Sequence, residues 1–250
     1  MTTAQATSGR VVAVVQARMQ STRLPGKVLR DLGGEPVLAW VLRAARAARG
    51  VDEVLIATST EPADDPVEAF ADAHGTRVVR GSQDDVLSRF LLAARESGAD
   101  AVVRLTADCP LLDPEIISQA VALWRIDPAL DYVSTTQNRS LPRGLDVEVA
   151  AVSALRAADA RHESHHRAHV TSALYEEGSG FGLASLSFRP PSDHLRVTLD
   201  TEEDARLLDE LVALLPSRPA RWRDVVRILT DRPDIVALNA HVEQKALLEG

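Results

Sequence analysis

The chain predicts an α/β fold built on a mostly parallel central sheet, and three observations carry that reading. Short, continuous runs rich in β-branched residues recur along it, as expected of strands covered on both faces. Segments with helical spacing separate the runs, giving a β-α-β-α-β-α-β alternation that implies a parallel sheet with right-handed crossovers. With 250 residues and 45% hydrophobic content, one core can be filled without a second domain.

The first strand is the run 11–15, continuous and almost wholly valine. Residues 16–27 follow as a loop with three cations (Arg18, Arg23, Lys27), two hydroxyls (Ser21, Thr22) and a Pro25-Gly26 turn. A loop at the carboxyl end of a first strand is where open α/β sheets bind ligands, and cations beside free backbone N–H groups suit phosphate. A helix starts near Pro36, which suits a first turn, and ends by Gly50. Residues 54–58 form the second strand, 61–66 a loop, and the stretch to His74 a helix. A short third strand at 78–79 turns through 80–84 into a helix over 85–97. The fourth buried strand is 101–105, and Asp113 caps the helix that Pro114 opens.

From residue 131 the pattern changes. Residues 132–135 read as a strand and 138–144 as an irregular, arginine-containing loop. The stretch 145–149 alternates with period two, which puts Asp146 and Glu148 on one strand face. Such a pair is solvated, matched by cations or turned toward a ligand. A helical segment over 162–175 holds His162, His165, His166 and His169. Its spacing could gather three of them around a metal, but a polar, partly exposed helix accounts for them without one. Residues 195–199 read as a strand ending at Asp200, which suits a helix cap, and a charged helical tail begins near Arg221.

Charge narrows the function. Residues 1–30 carry five cations and no acidic residue, in a chain of net charge -8. That contrast points to a local anion site and not to a nucleic-acid surface, which needs a basic face. Aromatic content of 4% also argues against a stacking platform for single strands. Lys27 and Lys245 are the only lysines among 28 basic residues, so the loop keeps a compact ammonium in an arginine-biased chain. The single Cys109 excludes an intrachain disulfide and a cysteine-rich zinc site, and reads as a small buried filler. Asp108 directly follows the fourth strand. It is either a metal ligand facing the first loop or a turn aspartate bonded to its own backbone. Residues 1–10 are polar, without an apolar signal core, and no apolar run approaches a membrane span, so a cytoplasmic protein is expected.

Six blocks occur in order across residues 11–230. They are Gln16-Ala17-Arg18 with Ser21-Thr22-Arg23-Leu24-Pro25-Gly26-Lys27, Arg80-Gly81-Ser82 with Asp84-Asp85, Asp108-Cys109-Pro110-Leu111, Pro142-Arg143-Gly144-Leu145-Asp146-Val147-Glu148, His169-Val170-Thr171, and Val197-Thr198-Leu199-Asp200-Thr201. Together they resemble the SpsF-type spore-coat polysaccharide cytidylyltransferase family, related to the CMP-sialic acid and CMP-Kdo synthetases. The resemblance implies a Rossmann-like, three-layer nucleotidyltransferase domain over 11–230, which leaves a flexible leader over 1–10 and a helical tail over 231–250. In it Ala17, Arg18, Ser21, Arg23 and Lys27 would hold CTP phosphates, and Ser82 with Asp85 would lie near the base and ribose. Asp108 and Asp200 would hold Mg²⁺, with Lys27, Arg18 and Asp108 carrying the catalysis. Arg143, Asp146, Glu148, His169 and Arg196 would line the acceptor pocket, and a homodimer is implied. One block departs from the family pattern: Ala168 stands where an acidic residue is expected beside His169.

The chemistry so implied is attack of an acceptor oxygen on the α-phosphorus of CTP with loss of pyrophosphate, needing positioning and charge neutralisation but no covalent residue. A nucleotide-sugar glycosyltransferase would share the nucleotide domain but needs an Asp-x-Asp pair, and the residues two positions either side of Asp108 are Thr106 and Pro110. A dinucleotide oxidoreductase needs a glycine fingerprint that the first turn lacks. A non-catalytic nucleotide-binding module is the remaining alternative, and the retained Lys27, Asp108 and Asp200 argue against it.

Overall fold

The computed structural model describes residues 9–160 and 164–243. Strand β1 (Val11–Gln16) lies inside the sheet, and its five apolar residues are fully buried, which explains their uninterrupted hydrophobic run. The cation-rich loop leads to a short hairpin, β2 (Asp31–Leu32) with β3 (Glu35–Pro36), and then to α1 (Val37–Ala47). That helix buries Leu38, Val41, Leu42 and Ala45, while the Trp40 indole N–H donates to the Leu32 carbonyl at 2.9 Å. Strand β4 (Glu53–Ser59), helix α2 (Asp65–Ala73), strand β5 (Arg77–Gly81), helix α3 (Val86–Ser97) and strand β6 (Ala101–Thr106) complete a parallel half-sheet in the order β5-β4-β1-β6. Helix α4 (Pro114–Ile126) starts at the Asp113 cap, whose carboxylate accepts the Glu115 N–H at 2.8 Å.

The second half is mixed. Strands β7 (Tyr132–Ser134) and β8 (Glu148–Ala151) enter so that β8 is antiparallel to both β6 and β7. Helices α5 (Val152–Asp159) and α6 (Ser164–His169) precede the edge strand β9 (Leu183–Ser185), parallel to β7. Helices α7 (Glu202–Leu214), α8 (Trp222–Asp231) and α9 (Pro233–Val236) end the described fold. The result is the expected three-layer α/β architecture, with a seven-stranded, mostly parallel sheet ordered β5-β4-β1-β6-β8-β7-β9.

Three sequence expectations need correction. The strand expected over 145–149 begins only at Glu148. Gly144, at φ 104°, presses its backbone against the chain opposite, where a Cβ would lie 2.6 Å from the Thr198 amide nitrogen. Val147 is bonded to Thr135 through its carbonyl and N–H, both at 3.0 Å, the latter to the side-chain hydroxyl and not along a regular ladder, so Asp146 precedes the strand and does not share a strand face with Glu148. Residues 195–199 form no strand either: a single parallel bridge joins Arg143 to Arg196, with the Val197 N–H donating to the Arg143 carbonyl at 2.7 Å. The helix expected over 162–175 ends at His169, because Val170 takes φ 62°, a left-handed conformation that a β-branched residue adopts only under constraint. His162 lies outside the described residues, as do residues 1–8 of the expected leader and 244–250 of the expected tail.

The parallel register fixes where a site can form. Gln16 pairs with both Ala57 and Thr106, so the loops after β1 and β6 leave the same edge of the sheet. The Leu199 N–H donates to the Asp108 carbonyl at 2.8 Å, which brings the chain around Asp200 to that edge.

Candidate active site

The loop after β1 is shaped from both ends. Its start is anchored where the Met19 N–H donates to Asp64 Oδ1 at 2.6 Å, and the buried Asp64 is itself bonded to Ser59 at the end of β4. Near its end Gly26 sits at φ 73° and donates its N–H to the Met19 carbonyl at 2.9 Å, a turn that only glycine makes cheaply. The next residue is thereby turned inward. Lys27 is 9% exposed, and its Nζ lies 2.6 Å from Asp108 Oδ2 and 2.5 Å from Asp200 Oδ1.

Asp200 gathers further cations: its Oδ2 is 3.1 Å from Arg23 and 2.8 Å from Arg196. Burial works against the Lys27 ammonium, but Asp108 and Asp200 outweigh it and raise its pKa. Burial likewise works against the Asp200 carboxylate, and Lys27 and Arg196 still hold its pKa below the ordinary aspartate value. Both groups are therefore charged at neutral pH. Around them opens a cleft of about 820 Å³ lined by Arg18, Ser21, Arg23, Lys27, Asp108 and Asp200, among others. Arg18 is exposed and makes no ion pair among the described residues. Ala17 is buried, with its N–H donated to the Ala57 carbonyl at 3.1 Å.

The Lys27 ammonium bridges the two carboxylates, and a compact divalent cation would meet the same oxygens. Mg²⁺ is commonly held by one or two carboxylates completed by substrate phosphates, and Asp108 with Asp200 fits that donor set. No group of three or more His, Cys, Asp or Glu side chains able to hold a metal occurs among the described residues, so water and substrate phosphate oxygens would complete the shell.

The remaining predicted residues are spread over several places. Ser82 and Asp85 lie at the start of α3, outside the cleft lining. Asp85 Oδ1 caps that helix by accepting the Ser88 N–H at 3.0 Å, and its Oδ2 pairs with Arg167 at 2.5 Å. Beneath them Arg89 is fully buried and donates to the Ser82 carbonyl at 2.6 Å, an anchor the sequence reading missed. Arg143 is half-buried beside Arg196. Burial and then the neighbouring Arg139 lower its pKa, and it has no ion-pair partner among the described residues. Asp146 is engaged by Arg139 at 2.5 and 3.1 Å. Glu148 points into the protein: buried on β8, it is paired with Arg104 and accepts from Tyr132 at 2.5 Å and Thr171 at 2.6 Å. His169 is half-buried at the end of α6, immediately before Val170.

Two more residues went unnoticed in the sequence. Asp204, fully buried, brackets Arg196 at 2.9 Å and forms a capping box with Thr201. The Thr201-x-x-Asp204 spacing could have revealed its cap role, though not its contact with Arg196. Asn239 reaches Asp204 Oδ1 at 2.8 Å from beyond α9, a contact no local pattern signals.

Cations closing over two carboxylates at the carboxyl edge of a parallel sheet suit the handling of a nucleoside triphosphate, and the protein is a nucleotidyltransferase. More narrowly, residues 12–249 match the model of the cytidylyltransferase family, and the chain belongs to that family. It is 32% identical over 237 residues to the spore coat polysaccharide biosynthesis protein SpsF of Bacillus subtilis, covering 90% of this chain and 95% of that one. It is 37% identical over 165 residues to the 3-deoxy-manno-octulosonate cytidylyltransferase of Acidobacterium capsulatum, covering 64% and 63%. Among solved structures, a cytidylyltransferase from Leptospira borgpetersenii superposes with a TM-score of 0.88 at 28% identity, covering 95% of this chain and 99% of that one.

Proposed function

We propose that the protein transfers CMP from CTP to a sugar, sugar acid or related acceptor, releasing pyrophosphate in an Mg²⁺-dependent reaction of SpsF type. The observation that carries this reading is the convergence of Lys27 on Asp108 and Asp200 beneath a cationic loop, in a member of the cytidylyltransferase family. Arg18, Arg23 and Lys27 bind the triphosphate, Arg18 being free to do so already and the other two exchanging carboxylate for phosphate. Asp108 and Asp200 hold Mg²⁺, which when bound supplies charge neutralisation at the reacting phosphate. Lys27 and Arg23 balance the charge that builds on the leaving pyrophosphate.

The acceptor oxygen approaches from the Arg143 side, where a half-buried guanidinium without an ion-pair partner among the described residues suits an anionic substituent. Ser82 and Asp85 face the base and ribose, with Arg167 and Arg89 keeping that loop in place. Among the described residues no helix is long and apolar enough to cross a membrane, and the use of CTP fits a cytoplasmic enzyme.

Pyrophosphate release tests the reading. Purified protein with Mg²⁺ is crossed with CTP, UTP, GTP and ATP against sugar acids, sugar phosphates and plain sugars. Release confined to CTP with one acceptor class is expected. Release with another nucleotide in preference to CTP, or failure to bind CTP, would overturn it.

A further inference from the structure

The acid that braces Asp200 is more deeply buried than Asp200 itself. Asp204 has no exposed surface, and its carboxylate accepts from both the backbone and a side chain of the site. Its Oδ2 takes the N–H groups of Asp200 and Thr201 at 2.9 and 3.1 Å. Arg196 meets it through Nε and Nη2, both at 2.9 Å, while the same Nη2 holds Asp200 Oδ2 at 2.8 Å. Asp204 therefore fixes Asp200 twice, through its main chain and through the guanidinium that orients its carboxylate.

Asn239 completes this brace from a different part of the chain. Its Nδ2 donates to Asp204 Oδ1 at 2.8 Å and to the Arg196 carbonyl at 3.3 Å, and the residue is 4% exposed. A few residues on, the Glu243 carbonyl accepts from Arg23 at 3.4 Å, so the segment after α9 touches the cationic loop as well. Beyond its contact with Asp204 on α7, the segment therefore also reaches the Arg196 carbonyl and the loop after β1.

We propose that Asp204 and Asn239 are positioning residues, through which the segment after α9 holds the Asp200 carboxylate in register for the divalent cation. The proposal rests on the reading of Asp200 as a metal ligand. Partners behind metal-binding carboxylates typically change metal affinity by about tenfold or more when lost. Neither residue needs to touch nucleotide or acceptor.

The test is Mn²⁺ binding to the CTP-loaded enzyme, followed by electron paramagnetic resonance, in the wild type, Asn239→Leu and Asn239→Ser. Leucine keeps the number and branching of heavy atoms but removes the donor; serine keeps a donor with shorter reach. Asn239→Leu is expected to weaken Mn²⁺ by about tenfold, to raise the Mg²⁺ concentration needed for activity in parallel, and to leave CTP affinity in EDTA unchanged. Asn239→Ser should fall between it and the wild type. Unchanged Mn²⁺ affinity in a folded Asn239→Leu overturns the proposal, and if that variant does not fold, unchanged affinity in Asn239→Ser does so. Absence of Mn²⁺ binding in the wild type with CTP would remove the metal reading itself, and this proposal with it.

Discussion

Lys27 and Asp200 meet at 2.5 Å although they are 173 positions apart in the chain, and the same ammonium reaches Asp108 at 2.6 Å. Their contact ties the loop after β1, the end of β6 and the start of α7 into one unit. On the proposed function, a triphosphate and a metal ion entering this site would divide what Lys27 now joins, with phosphate taking the ammonium and the metal taking the carboxylates.

Replacing Lys27 therefore does two things. Lys27→Met should lower turnover at least about tenfold, because a cation aimed at charge developing on phosphate is lost. It should also cost stability, since breaking a buried pair costs about 3–5 kcal/mol and Arg23 and Arg196 offset only part of that. Steady-state rates and urea unfolding check both effects, and a wild-type rate would remove Lys27 from the site.

Asp108→Asn keeps the shape of the site while removing one of the two carboxylates. Mg²⁺-dependent turnover should fall below detection while CTP binding in EDTA persists. Calorimetry with CTP beside a pyrophosphate assay separates the two effects, and full activity would exclude Asp108 as a metal ligand.

The pH dependence of stability has two limbs with opposite origins. Asp200, held below its ordinary 3.8 by Lys27 and Arg196 against the opposing effect of burial, contributes stability that is full above 3.8 and is lost as pH falls through the lowered value. Lys27, raised above 10.5 by Asp108 and Asp200 in spite of burial, contributes stability that is full below 10.5 and is lost as pH rises through the raised value. Asp200→Asn should flatten the acid limb of a melting-temperature profile, and Lys27→Met the alkaline limb. Unaltered limbs would contradict the coupling.

Glu148 is expected to behave as a structural residue first. Burial disfavours its charge, yet Arg104, Thr171 and Tyr132 hold its pKa below the ordinary glutamate value. Glu148→Ala strands the Arg104 guanidinium and should destabilise the fold by about 3–5 kcal/mol in urea. An unchanged midpoint with a raised acceptor KM would instead make it an acceptor contact.

The parallel half-sheet was legible because β1, β4 and β6 are buried on both faces and so read as continuous apolar runs. Lys27 and Asp108 were legible because each lies in a loop that leaves a strand end, where open sheets place ligands; Asp200 read by itself only as a helix cap, a place that Thr201 fills, and its site role came from the family resemblance. What escaped depends on distant partners. Period-two alternation cannot reveal that Gly144 packs on residues 197–198, or that Glu148 faces Arg104 on the neighbouring strand. The left-handed turn at Val170 has no local signal, since valine disfavours it. Asn239 reaches the site only because α7, α8 and α9 fold back on one another.

The most direct measurement follows the label from CTP carrying ³²P at either the α or the γ position, with Mg²⁺ and the acceptor that supports pyrophosphate release. Attack at the α-phosphorus predicts that the α label moves onto the acceptor while the γ label leaves in pyrophosphate. A γ label on the acceptor would mean phosphoryl transfer and would contradict the account.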